Sequence, residues 1–272
     1  MREQLFAERW QVPDVAALRR AWLADLEIIG ERCTCPGAYH RTWGAVKLAG
    51  RHLAIHEHAA AIDDAVRPLL ARPSRILILG SADATILRLL ADIGAGTGPH
   101  RFLLADRCAA PLALAREAAG ERGLEVETLR HEFAEPLVLD EPVDLIFGHY
   151  VLNFLDASAL AVTLSALAAT LAENARMVIV HRRSMPVSQE QSWLERARCQ
   201  LDSTLSKDDP VRPLAEKALA QCARERATRR LGSQDFEAAI VDAGLVVVAD
   251  VALSEGPAAS VGDPRLYVLA HA

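Results

Sequence analysis

The chain has 272 residues, 51% hydrophobic and 24% charged, with a formal charge of −6 and a pI near 5.9. An acidic balance argues against a general polyanion binder, which carries a basic surplus, so no nucleic-acid partner is expected. No run reaches the roughly 18 apolar residues of a membrane span, and the N-terminus, charged from residue 2, lacks a signal core, so no membrane partner is expected either.

Aromatic residues make up only 5%, so any sheet core is built mainly from Ala, Leu, Val and Ile. The five cysteines, Cys33, Cys35, Cys108, Cys199 and Cys222, are odd in number and have no framework spacing. A reducing cytoplasm is the simplest compartment for them.

Residues 1–72 read as an N-terminal helical cap. Apolar residues recur at helical spacing over 15–26 and again over 45–70. The segment CTCPG at 33–37 breaks the two, with Pro-Gly as a turn signal. Pro73 ends the helical region.

From residue 75 short apolar runs alternate with helices. Strands are predicted at 75–79, 101–105, 125–130, 143–147 and 176–180. Helices are predicted at 82–93, 110–121 and 157–172. This alternation implies a parallel sheet with right-handed crossovers. Residues 184–230 interrupt it, being helical and too long for a plain connection. They read as a helical insertion, either a lid wall or a surface for homodimer formation. A helix at 233–243 follows, with Ser233 as N-cap and Gly244 as its stop. Strands at 245–251 and 265–270 close the chain as a hairpin.

In open parallel sheets, ligands sit outside the carboxyl ends of the strands. The first strand therefore nominates the turn at 80–85, where Gly80 permits a sharp bend. The next helix offers free N–H groups and the positive end of its dipole. The segment ADIGAGTG at 91–98 is richer in glycine, but it follows helix and precedes strand. A glycine motif works as a cofactor loop only when a strand precedes it and a helix follows. It is read as a helix exit loop. Asp106 closes the second strand, where a carboxylate accepts hydrogen bonds from ribose hydroxyls.

These segments together resemble class I S-adenosylmethionine (SAM)-dependent methyltransferases. ILILGSADA stands at the family's first motif, LADRCAAPLALARE at its second and VDLIFGHYVLNFLD at its fourth-strand motif. DFEAAIVDAGLVVV and RLYVLAHA resemble its last helix and terminal hairpin. The resemblance covers residues 73–182 and 233–272. It implies an α/β, Rossmann-like, seven-stranded, mostly parallel sheet with an antiparallel terminal hairpin, and SAM as cofactor. Gly80, Ser81, Ala82 and Asp83 would form the cofactor turn, and Asp106 and Arg107 would flank the adenosine. Glu132 and Phe133 would lie by the adenine, and Gly148 and His149 by the sulfonium, with Tyr150 facing the acceptor. The family's G-x-G-x-G is here reduced to Gly80, with Ala82 and Ala84 at the later positions. The acid that commonly precedes the first glycine by two residues is Ile78, and Asp83 is a candidate substitute.

The expected activity is methyl transfer to oxygen or nitrogen of a small molecule. An alternative is a degenerate SAM-binding or non-catalytic interaction protein, motivated by the altered motif. An NAD-dependent dehydrogenase ranks behind both, because Ala82 and Ala84 hinder close approach of a pyrophosphate. His149 and His181, following strands four and five, are candidate bases, since histidine titrates near neutrality; the alternative for each is a hydrogen-bonded structural histidine. Arg182 and Arg183 beside His181 read either as anchors for an acidic acceptor or, equally, as solvated charges. Tyr39, His40 and Trp43 are candidate lid residues, because relatives fold a helical cap over the site. Cys33, Cys35 and His40, with His52 and His56, are of metal-ligating types. Cys-x-Cys is not a usual zinc spacing, however, and no second cysteine pair exists, so no metal is expected.

Overall fold

The computed structural model describes residues 10, 15–35, 39–40, 43–44, 54–183, 195, 198–199, 201–203, 205–217, 219–220, 233–253 and 263–272. Much of the expected insertion, together with His52, lies outside the described residues. The helices are α1 (Val15–Arg32), α2 (Ala54–Glu57), α3 (Ala59–Val66), α4 (Thr85–Ile93), α5 (Ala109–Arg122), α6 (Ala157–Thr170) and α7 (Ser233–Asp242). The strands are β1 (Arg75–Leu79), β2 (Arg101–Asp106), β3 (Glu125–Arg130), β4 (Val143–His149), β5 (Leu171–Arg183), β6 (Leu245–Ala252) and β7 (Asp263–His271). Among the described residues, no helix is long and apolar enough to cross a membrane.

One sheet takes all seven strands in the order β3-β2-β1-β4-β5-β7-β6. The first five are parallel, and β7 runs antiparallel to both β5 and β6. The strand order reverses between β1 and β4, so the crossovers leaving their carboxyl ends run to opposite sides and open a crevice there.

The period-two alternation of a strand decides what fills each face. RILIL of β1 is buried throughout. Ile76 and Ile78 join Phe102, Leu104, Leu145, Phe147, Val178 and Val180 on one face, under α3, α4 and α5. Leu77 and Leu79 join Leu103, Ala105, Ile146, Met177 and Ile179 on the other, under α6 and α7. Both faces are therefore apolar, which is why these strands read as continuous runs rather than as alternating ones.

Several boundaries differ from the sequence expectation. Helix α4 begins at Thr85 and not at 82, because Gly80 bends the chain at φ +60 and Asp83 Oδ1 accepts from the Thr85 amide at 2.8 Å. That carboxylate satisfies a helix-end donor and starts the helix late. Strand β5 begins at Leu171, ahead of the expected 176. It reaches its pairing with β4 through a register shift, with Asn174 at φ 64. The expected helix at 45–70 is described only as α2 and α3, which meet at His58.

Candidate active site

The crevice at the β1/β4 switch point is a cavity of about 260 Å³, near the lower end of small-molecule sites, about 300 Å³. Gly80 forms its floor. A Cβ there would lie 2.6 Å from Val151 Cγ2 and 3.7 Å from the Phe133 ring, at a φ that only glycine adopts freely. The Gly80 amide donates to the Ala105 carbonyl at 2.8 Å, which pins the turn to β2.

Asp106 ends β2 and joins the first two loops. Its Oδ2 accepts from the Ser81 amide at 3.0 Å and its Oδ1 from the Cys108 amide at 2.7 Å. Each oxygen keeps a second lone pair for a ligand. Burial pushes Asp106 up to about 6. The Cys108 and Ser81 amides and Arg107 oppose that shift, and Glu132 reinforces it. The carboxyl therefore titrates not far below neutrality.

The cap side of the cavity carries Tyr39, His40 and Trp43. Trp43 Nε1 donates to Asp83 Oδ2 at 3.3 Å, which ties the cap to the cofactor turn. Tyr39 meets Trp43 at 5.7 Å and Phe154 at 5.9 Å between ring centroids. Burial lowers His40 to about 4, helped by Arg107 and opposed by Asp83.

His149 stands at the carboxyl end of β4 and lines the cavity beside Tyr150. Burial holds it well below the usual imidazole range, and nearby His58 and Arg182 add to the effect. It is neutral at pH 7, with a lone pair available. Among the described residues, its Nε2 has no hydrogen-bond partner. His58, from the break between α2 and α3, lies 5.8 Å away by ring centroids. It too is lowered to about 4, first by burial and then by Arg182.

The cavity thus gathers Gly80, Ser81, Ala82, Asp83, Asp106, Arg107, Glu132, Phe133, His149, Tyr150, Tyr39, His40 and Trp43. Three expected site residues do not line it. Gly148 lies in the sheet, and a Cβ there would come within 3.2 Å of Val151 Cγ1, so it makes room for the turn after β4. His181 is fully buried and stacks on Phe236, 4.0 Å away at 5°. It sits on the sheet face covered by α7, because its strand position alternates with that of Val180. Arg182 reaches the neighbourhood only indirectly, with its guanidinium 4.4 Å over the Tyr150 ring. The Asn153 side-chain amide fixes its backbone, with Nδ2 donating to the Arg182 carbonyl and Oδ1 accepting from the Arg182 amide.

Sequence reasoning missed His56, Val151 and Phe154, which also line the cavity, and His58 behind His149. The signal for Val151 and Phe154 was present, since they follow the fourth strand directly. His56 and His58 reach the site only through packing of the cap, which no local pattern reports.

No family model matches the chain, and no curated protein matches it. Solved structures do share its architecture. A SAM-dependent methyltransferase from Clostridium acetobutylicum ATCC 824 aligns with a TM-score of 0.53 and 11% identity, over 79% of this chain and 91% of its own. Magnesium protoporphyrin IX methyltransferase (ChlM) from Synechocystis PCC 6803, solved with bound SAH, aligns at 0.52 and 12% identity, over 80% and 85%. A protein from Rhodobacter sphaeroides described as a putative Zn-dependent alcohol dehydrogenase aligns at 0.54 and 12% identity, over 78% and 90%. Identities this low establish the fold alone. The chain has the Rossmann-like fold found in SAM-dependent methyltransferases, a mostly parallel seven-stranded sheet that ends in an antiparallel pair.

Proposed function

We propose that the chain is a SAM-dependent methyltransferase acting on oxygen or nitrogen of a small acceptor. The observation that carries this reading is Asp106, a buried carboxylate at the end of β2 that holds both the Gly80 turn and the start of α5 by main-chain bonds. A ribose diol seated there would meet two oxygens already oriented. Glu132 and Phe133 then stand on the adenine side.

Asp83 is the acid nearest the methionine end. Ile78, where an acid is common, is fully buried in the core and supplies none. The acceptor would enter between His149, Tyr150 and the cap rings. The reaction is an in-line displacement: the acceptor lone pair forms a bond to the methyl carbon, the carbon–sulfur bond breaks, and its electron pair returns to sulfur. Holding the two reactants close and aligned supplies most of the acceleration. A protonated acceptor loses its proton to His149, whose neutral imidazole accepts it.

Isothermal titration with SAM, its demethylated product (SAH) and NAD tests the reading. Tight binding of the sulfur ligands is expected, with Asp106→Ala weakening SAH by at least about 100-fold, since hydrogen bonds to a charged group are worth about 1.5–3 kcal/mol each. Failure to bind either sulfur ligand overturns it. Product binding without turnover on any acceptor, including one recovered by mass spectrometry of co-purified ligands, would favour the degenerate reading that Ala82 and Ala84 suggest.

A further inference from the structure

Among the described residues, one group of soft ligands supplies neither the base nor the ribose acid of the proposed methyl transfer. Cys33 and Cys35 follow α1, His40 lies farther along the cap, and Cys108 is the N-cap residue of α5. Their ligand atoms all lie within 4.8 Å of one another. We propose that Cys33, Cys35, His40 Nδ1 and Cys108 form a closed, four-coordinate structural site for a zinc-class divalent ion.

The geometry supports an ion more than a hydrogen-bonded cluster. Zinc binds sulfur at about 2.3 Å and imidazole nitrogen at about 2.0–2.1 Å, so tetrahedral coordination sets the sulfur–nitrogen edges at about 3.5 Å. Cys33 Sγ and Cys35 Sγ each lie 3.5 Å from His40 Nδ1. One imidazole nitrogen carries a single proton or a single lone pair, so it cannot bond well to two thiols at once. Around an ion, by contrast, both contacts are ordinary ligand edges.

The surroundings suit such a site. Cys108 is fully buried, His40 is buried, and Cys33 and Cys35 are half-buried. Three thiolates and one histidine fill every position of a tetrahedral ion, which is the pattern of a structural centre, and thiolates select zinc over hard cations. Three thiolates around a divalent ion leave one negative charge, and the guanidinium of Arg107 stands near enough to act on both Cys35 and His40. The doubt raised by Cys-x-Cys is answered by topology: the third thiol comes from the end of β2, far along the sequence.

The position also gives the site a use. Cys108 donates its amide to Asp106 at 2.7 Å, and Cys35 and His40 line the cavity. An ion here staples the cap to the strand end that carries the proposed ribose acid.

The test needs neither cofactor nor acceptor, so its outcome is separate from that of the methyltransferase reading. The full chain, reduced and stripped of metal, is titrated with Zn2+ against a chromophoric chelator and with Co2+ in the spectrometer. One ion per chain is expected, with sulfur-to-cobalt charge-transfer bands and the intense ligand-field absorption of a tetrahedral site. Cys108→Ser and Cys35→Ser should each weaken Zn2+ binding by at least about 100-fold, the upper end of what loss of a mere outer-shell partner costs. Cys199→Ser, at an exposed thiol, should bind as the wild type does. If the cysteine variants do not fold, X-ray absorption of the wild-type zinc protein decides, with three sulfurs and one nitrogen expected. Absence of Zn2+ binding by the reduced chain, a cobalt spectrum that survives Cys108→Ser, or a cysteine pair that merely forms a disulfide overturns the proposal.

Discussion

Two glycine-bearing loops flank α4, and they serve opposite ends of the sheet. The loop after β1 has one glycine, Gly80 at φ +60, which lines the cavity together with Ser81, Ala82 and Asp83. The loop after α4 has three, Gly94, Gly96 and Gly98, and closes on itself. Thr97 Oγ1 donates to the Gly94 carbonyl at 2.6 Å, and a Cβ on Gly98 would meet Pro73 Cγ at 2.8 Å. Both loops need left-handed backbone. Only the first lies at a carboxyl strand end, so the position of a glycine relative to a strand carries the functional information, and the number of glycines does not.

The sharpest way to break this comparison is a pair of substitutions. Gly80→Ala combines a strained φ with a 2.6 Å approach to Val151, a cost of roughly 2–5 kcal/mol. Gly98→Ala, at φ +117 against Pro73, should destabilise comparably in a thermal melt. The two should part in calorimetry: Gly80→Ala loses SAH binding even where it remains folded, and Gly98→Ala keeps it. Equal losses of binding would mean that the second loop also shapes the site.

The same contrast recurs in two histidines on adjacent strands, His149 at the end of β4 and His181 within β5. His149 faces the cavity and His181 stacks under α7. His149→Ala should lower turnover by about 100-fold or more for an acceptor that loses a proton, with little change in melting temperature. His181→Ala should instead cost about 2–3 kcal/mol of stability through the vacated core volume and leave affinity for SAH as it was. An unfolded-fraction correction separates the two effects.

How far the site could be read from the sequence follows from these cases. The strands and helices of residues 75–180, the Gly80 turn and the place of Asp106 at the end of β2 were legible because strand–turn–helix periodicity places them locally. The facing of His181 was not, because one residue of register decides which side of a sheet a strand-end side chain meets. Residues at 131–133 were legible as the end of β3, whereas His56 and His58 enter through cap packing. Cys108 lies far from Cys33 along the chain, and only the crossover to β2 brings them together.

The pH dependence of ligand binding sharpens the role given to Asp106. Burial raises its carboxyl to about 6, and ribose recognition needs the ionised form. SAH affinity should therefore fall by about tenfold per pH unit below 6 and level off above it. Stability of the ligand-free protein moves the other way. A carboxyl raised above its unfolded value contributes stability that is fully present below the unfolded pKa and is lost as pH rises through about 6. Calorimetry and thermal melts from about pH 4 to about pH 8, roughly two units either side of the Asp106 value, read both slopes. Parallel slopes would remove Asp106 from ligand binding.

The smallest effect tests how the Gly80 loop is held to the cap. Trp43 donates to Asp83 Oδ2 at a long 3.3 Å, while the other oxygen, Oδ1, caps α4 through Thr85 at 2.8 Å. Trp43→Phe removes the first bond and keeps an aromatic ring near Tyr39. A neutral donor lost from a carboxylate at that distance is worth about 1 kcal/mol. SAH binding should therefore weaken roughly fivefold, chiefly through faster release of ligand as the cap opens more often. Helix α4 should be unaffected, because its cap bond remains. Unchanged release kinetics would place the closure with the cysteine–histidine cluster beside Asp106 rather than with Trp43.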